Sequence, residues 1–189
     1  MKDQKIGIAL TGSFCTFSQV LPVIRQLAKY NTVTAILSYA AAETDTRFYR
    51  AEELLRELEQ LTGRPPLRTL PEAEQVGPGK LFDVLLVAPC TGNTLAKLHC
   101  GITDTPVLMA VKAQLRNGRP VVLALSTNDA LGAGAKNIGG LLNRRDLYFV
   151  PFSQDDPEKK PRSMAANFGL CEAALDAALA GKQLQPIIL

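Results

Sequence analysis

The chain predicts an α/β fold of three layers around a doubly wound parallel sheet, and three observations carry that expectation. Apolar, β-branched runs alternate with amphipathic helical segments along the whole length. The run Phe82 to Ala88 is almost continuously apolar, as a strand covered on both faces requires. Strand ends pass into polar turns rich in Gly, Ser, Thr and Asn, the punctuation that precedes a right-handed crossover back to the sheet.

The elements follow in order. Lys5 to Thr11 reads as a first strand, and Val20, Leu21, Ile24, Leu27 and Ala28 mark one face of a first helix. Thr32 to Ser38 is rich in β-branched residues and reads as a second strand. Leu54, Leu55, Leu58 and Leu61 then recur at helical spacing beside Glu52, Glu53, Arg56, Glu57 and Glu59. Thr62 to Lys80 holds Pro65, Pro66, Pro71 and Pro78, which predicts a connection with at most one short helical turn. After Phe82 to Ala88 the strand is expected to stop, because Pro89 has no N–H and Thr91, Gly92, Asn93 and Thr94 favour turns and helix caps. Leu95 onward reads as a helix. Val107 to Arg116 is another, ended by Asn117 and Gly118, and Pro120 to Leu125 and Leu147 to Phe152 read as the fourth and fifth strands. Met164, Phe168, Cys171, Leu175 and Ala178 form one stripe on a final helix that ends near Gly181. No internal repeat interrupts the pattern, so residues 1–189 read as a single domain.

Composition narrows the function. Twenty-one basic residues face eighteen acidic ones, leaving a net charge of +3, and no basic block carries interleaved aromatics. A nucleic-acid partner is not expected. Cys15, Cys90, Cys100 and Cys171 lack the paired spacing of zinc or redox sites, so no metal is expected and the thiols are read as reduced, in a cytoplasmic setting. The amino terminus has no signal-peptide pattern and no apolar run approaches eighteen residues, so a soluble protein that does not enter a membrane is expected.

The chemistry should lie where strands end. Thr11 to Thr16 joins the first strand to the first helix; there Gly12 permits close backbone approach, and Ser13 and Thr16 offer hydroxyls to a phosphate or simply cap the helix. Gly7 to Gly12 does not fit the G-x-G-x-x-G fingerprint, which favours a mononucleotide over a dinucleotide. Ser126, Thr127, Asn128 and Asp129 end another buried strand and should reach the same crevice as Asn93, with Asp129 read as a capping carboxylate. Arg47, in the segment Thr44 to Phe48, could grip a carboxylate in bidentate fashion or stand solvated, and Lys97 and Lys112 are weaker candidates for that task. His99, the single histidine, falls inside a helix and is not read as a base, so no catalytic residue is assigned.

The segment Pro89-Cys90-Thr91-Gly92-Asn93-Thr94-Leu95-Ala96-Lys97, closing with Gly101 and Asp104, resembles the Pro-x-Ser-Ala-Asn-Thr-x-x-Lys signature of flavin-containing cysteine decarboxylases and related flavoproteins. Three further stretches resemble the dipicolinate synthase B-subunit branch: Leu10 to Thr16, Val121 to Gly132, and Pro151 to Pro157 with Lys160-Pro161. The likeness covers essentially the whole chain.

This resemblance implies a Rossmann-like flavoprotein fold and FMN as cofactor, with its phosphate near Gly12, Ser13 and Thr16 and further contacts from Ser38, Thr91, Asn93 and Thr94; Ser126, Thr127 and Asn128 are read as facing the same cofactor crevice. It implies a separate A subunit as partner, a small dicarboxylate substrate, and oxidation of dihydrodipicolinate to dipicolinate in the mother-cell cytoplasm during sporulation. Arg47, Lys97 or Lys112 would hold a substrate carboxylate, and a nicotinamide on the A subunit is the alternative electron carrier. A homo-oligomer built from trimers is also implied, and the charged loop Asp155 to Arg162 becomes a lid or partner contact. The wider family has Pro-x-Met-Asn-x-x-Met-Trp where this chain keeps Asn128 but has Ala130-Leu131 and no Trp, which opposes cysteine decarboxylation. Cys90 and Gly92 likewise replace the Ser or Ala often seen in that family's turn. A free-standing FMN-dependent decarboxylase and a non-catalytic partner of the A subunit are the alternative readings.

Overall fold

The computed structural model describes all residues, 1–189. β1 (Lys5–Leu10) leads through a 3-10 turn (Phe14–Thr16) into α1 (Phe17–Ala28), and β2 (Thr32–Leu37) into α2 (Tyr39–Glu43) and α3 (Ala51–Thr62). After α4 (Leu70–Glu74) come β3 (Val84–Cys90), α5 (Gly92–His99), α6 (Pro106–Arg116) and β4 (Val121–Thr127). The chain closes with α7 (Ala135–Leu142), β5 (Leu147–Phe149), β6 (Phe152–Ser153), β7 (Met164–Ala166), a 3-10 turn (Phe168–Leu170) and α8 (Cys171–Leu179).

The sheet order is β2-β1-β3-β4-β7-β6, with β5 pairing β4 as well. β1 to β5 run parallel, whereas β7 pairs antiparallel to both β4 and β6. Two groups of helices, α1 with α3 and α8 and α4 with α5 to α7, cover the sheet, which makes the third layer. β3 is buried at all seven positions, the physical reason its sequence shows no alternation. The strand order turns back between β1 and β3, so the loops leaving these two strands part and open a crevice at the carboxyl edge of the sheet.

Several boundaries differ from those the sequence predicts. β3 runs through Pro89 to Cys90 instead of stopping at Ala88. The ladder with β4 shifts register between Val87 and Cys90, so the missing N–H of Pro89 falls where no bond is called for. The span Leu147 to Phe152 splits into β5 and β6 around Pro151, which cannot donate to a ladder. Met164 and Phe168 do not lie on the final helix: Met164 begins β7 and Phe168 a 3-10 turn, and α8 starts only at Cys171. The sheet is therefore mixed, and the antiparallel β7 abuts β4 at Ser126 and Thr127, where it helps wall the crevice.

Candidate functional site

The loops leaving β1, β3 and β4 are tied to one another by side chains. The Thr11 hydroxyl donates to the Pro89 carbonyl at 2.6 Å and accepts from the Thr91 amide at 3.1 Å, clamping the end of β1 to the end of β3. Ser13 and Ser126 share a hydroxyl–hydroxyl hydrogen bond of 2.8 Å, joining the first loop to the third. The Thr16 hydroxyl donates to the Ser13 carbonyl at 2.7 Å, and the Thr127 hydroxyl accepts from the Asp129 amide at 3.3 Å. Ser163, from the segment that enters β7, donates toward the Thr127 carbonyl and the Asn128 side-chain oxygen, each at 3.3 Å.

These loops line a cleft of about 730 Å³, inside the size range of small-molecule sites. Gly12, Ser13, Thr16, Thr91, Gly92, Ser126, Thr127 and Asn128 form one side. β7 and the 3-10 turn after it form the other, with Met164, Ala165, Ala166 and Phe168 as an apolar wall and Asn167 and Ser163 as polar groups. Three charged side chains face the cleft: Asp129, Asp155 and Lys160. Lys160 Nζ lies 3.4 Å from Asp155 Oδ2. Burial pushes the Asp155 carboxyl up, but the Ser163 hydroxyl, its own backbone amide and Lys160 outweigh that, so it sits below its ordinary value and stays ionised at neutral pH.

Residues 1–138 match the family profile described as Flavoprotein. The chain belongs to the Flavoprotein family. It is 43% identical to the B subunit of dipicolinate synthase from Bacillus subtilis (strain 168) over 190 residues, all of this chain and 95% of that protein. The crystal structure of the dipicolinate synthase B subunit from Bacillus halodurans C superposes with a TM-score of 0.91 at 40% identity, covering 100% of this chain and 97% of that one. A Burkholderia xenovorans protein solved in complex with FMN, and described as a cubic protein cage for redox transfer, shares the fold at a TM-score of 0.72 and 18% identity, covering 94% of this chain and 96% of that one.

Membership of the Flavoprotein family implies a flavin, and the donor set suits one. α1 starts after Thr16 without a side-chain cap; the preceding 3-10 turn takes the Phe17 amide through the Phe14 carbonyl, and the positive dipole end of the helix lies beside the Ser13 and Thr16 hydroxyls, where it suits an anion. Thr91 caps only Thr94 of α5, leaving the amides before it open on the cleft side. The remaining hydroxyls and the Asn128 amide match a polyhydroxyl chain, and the wall from Met164 to Phe168 matches a flat apolar ring. Asp155 is neutralised by Lys160, which leaves Asp129 as the one acidic side chain on the lining without an ion-pair partner.

The residues read from the sequence divide into two sets. Gly12, Ser13, Thr16, Thr91, Ser126, Thr127 and Asn128 meet on the cleft. Ser38 is buried and caps α2 by accepting from the Ala41 amide, Thr94 is buried against Thr91, and Asn93 is exposed on the first turn of α5; none of the three lines the cleft. Arg47 is exposed and stacks on Phe48 with its guanidinium 4.7 Å from the ring centre. Lys97 is taken by Asp104 at 2.7 Å, and Lys112 borders a different depression. His99 ends α5 against Gly140, away from the cleft, and leaves no room for a side chain there.

Lys160, Ser163 and Asn167 are cleft residues that the residue-by-residue reading missed. The signal was present in the likeness of the stretch Pro151 to Pro161, yet its charges and turn formers also describe a solvated loop. Cys90, on β3, is fully buried and its thiol is pushed far up by desolvation, so it supplies no nucleophile.

Proposed function

We propose that this chain serves as the B subunit of a dipicolinate synthase, holding FMN in the carboxyl-edge cleft and acting with an A subunit to oxidise dihydrodipicolinate to dipicolinate in the cytoplasm of a sporulating mother cell. The observation that carries the reading is the cleft: hydroxyls, amides and an uncapped helix start on one side, an apolar wall opposite, and Lys160 at its edge. The full-length likeness to B subunits supports the choice of reaction.

Bound FMN would supply an acceptor for the hydride that leaves, with one proton passing to water, when the dihydropyridine ring becomes aromatic. The chain's own residues do the rest. Ser13, Thr16 and the start of α1 receive the phosphate, while Thr91, Ser126, Thr127 and Asn128 hold the polar chain. Lys160 offers its ammonium to a substrate carboxylate, and Asp155, itself engaged by the Ser163 hydroxyl, holds that ammonium at the edge of the site. No histidine reaches the cleft and the chain has no tryptophan, which favours this reading over a free-standing decarboxylase. Homo-oligomerisation belongs to the same proposal, supported by fold relatives described as a cubic cage and as a dodecamer.

The test is direct. Purified protein should be yellow with one flavin per chain, and dipicolinate should form only when the A subunit is added. Colourless protein that supports full turnover with the A subunit and a nicotinamide would move the redox step to that partner; turnover in its absence would make this chain an autonomous oxidase.

A further inference from the structure

A second depression of about 560 Å³ lies between the loop after α5, α6 and the segment joining α7 to β5, and it shares no lining residue with the cleft. Leu98, Leu108, Val111 and Leu115 form its floor, and Ile102 stands beside them 44% exposed. Lys112 and Arg116 occupy one wall, a single helical turn apart on α6. Arg144 and Arg145 occupy the other, with Asp146 the one carboxylate of the lining. The groove therefore holds a surplus of three positive charges, as large as the net charge of the entire chain, +3. Elsewhere acids and bases balance.

Two of the four cations have neither a carboxylate nor a carbonyl partner within the chain. Neither Lys112 nor Arg116 has a carboxylate within ion-pair distance, Arg144 donates to the Leu98 carbonyl at 3.0 Å, and only Arg145 approaches Asp146, at 3.5 Å. Arg144, Arg145 and Asp146 form a lip shared with an adjoining depression where Leu142 is 43% exposed. An exposed isoleucine, Ile102, and a half-buried Leu115 beside two cations without a carboxylate partner, Lys112 and Arg116, are the pattern of a docking surface that steers and then seats an acidic, apolar partner segment. A compact phosphate fits poorly: the carboxyl end of α5 points its last turn here, with the wrong dipole sign, and no aromatic side chain offers a stacking face.

We infer that this groove receives an acidic amphipathic segment of the A subunit, carboxylates against Lys112, Arg116 and Arg145 and an aliphatic side chain over Ile102 and Leu115. The inference rests on the proposed partnership of the two chains. Docking here would leave the carboxyl-edge cleft open to small molecules, because the two linings are separate.

The experiment uses the full chain, its purified A subunit, and the double variant Lys112→Glu with Arg145→Glu, exposed positions on opposite walls. Binding is measured by titration at low and moderate salt, with thermal unfolding of each preparation as the folding control. The expected result is wild-type binding that weakens with salt, and a variant that binds about tenfold or more weakly with a shallower salt dependence. Equal affinity of variant and wild type overturns the groove while leaving the partnership intact. Failure of wild type to bind the A subunit overturns both. If sedimentation of each protein alone shows that the variant loses an oligomer that wild type forms, the occupant is a second copy and the assignment to the A subunit is overturned.

Discussion

Ser13 and Ser126 lie 113 positions apart in sequence, yet their hydroxyl oxygens sit 2.8 Å apart at the mouth of the cleft. The bond joins the loop after β1 to the end of β4 across the intervening β3, so it sets the spacing of the two walls that would receive a cofactor. Its partly buried setting makes it a measurable contribution to stability rather than a solvated contact.

Ser126→Ala should lower unfolding free energy by about 0.5–1.5 kcal/mol, with Ser13→Ala costing a similar amount. Since either change removes the same bond, the double variant should cost little more than one single variant in urea denaturation. Additive losses would show that the two hydroxyls act through different partners. Flavin affinity measured on the same proteins should fall with Ser126→Ala, because the loop it anchors lines the cleft.

Gly92 explains one departure from the family motif. A Cβ built at this position would lie 2.5 Å from the Thr127 hydroxyl oxygen, which is itself engaged by the Asp129 amide. Gly92→Ala should therefore destabilise by roughly 1–3 kcal/mol, the range of overpacking at a close contact. Adding Thr127→Ala, which removes the oxygen the new methyl meets, should recover part of that loss in thermal unfolding. No recovery would place the strain in the backbone of α5 instead.

How far the sequence reaches depends on whether a residue is governed by its neighbours in the chain or by distant ones. β3 was readable because burial at every position writes a continuous apolar run, and Asn117 with Gly118 was readable because a left-handed glycine after a helix is a local device. Seven of the cleft residues were readable for the same reason: strand-end turns with small polar side chains announce themselves. β7 was not. Its three residues are held by pairing with Ser126 and Thr127, and Met164 and Phe168 happen to continue the helical spacing of Cys171 and Leu175. Arg47 shows the opposite failure, a residue whose chemistry suits a carboxylate but which α2 carries away from the strand end and Phe48 engages by stacking.

The four cysteines should separate cleanly by reactivity. Cys15 and Cys100 are exposed and Cys90 and Cys171 buried, so native protein at pH 8 should react quickly with a thiol reagent at two sites and at all four only after unfolding. Desolvation raises the Cys171 thiol from 9.0 to about 12 and pushes Cys90 higher still. The folded state therefore holds these protons where the unfolded chain, near pH 9, releases them, so stability is intact below that pH and falls as pH rises beyond it. The slope should approach at most about 1.4 kcal/mol per pH unit for each thiol, and replacing both with Ala should flatten the alkaline limb of the stability profile. An unchanged limb would assign it to other groups.

Lys160 is the one cationic side chain on the cleft, and if the proposed dicarboxylate is the substrate, loss of that side chain should be felt first. Its ammonium is positioned by Asp155 at 3.4 Å, and the loop that carries both is fastened to the cleft through Ser163, which reaches Thr127 and Asn128. Lys160→Ala should raise the KM for the dicarboxylate about tenfold in the reconstituted two-subunit assay, the effect of losing one charge-assisted hydrogen bond. Flavin content should stay close to wild type, since the groups assigned to the phosphate lie on the opposite wall. Lys160→Arg should restore much of the affinity if charge is what matters, whereas a purely structural loop contact would not be rescued. Arg47→Ala, removing an exposed guanidinium stacked on Phe48 outside the cleft, should change KM by less than about twofold, the scale of a surface substitution. The reverse pattern, with Arg47→Ala costly and Lys160→Ala silent, would return the carboxylate to Arg47 and require the segment from Thr44 to Phe48 to fold over the cleft when substrate binds.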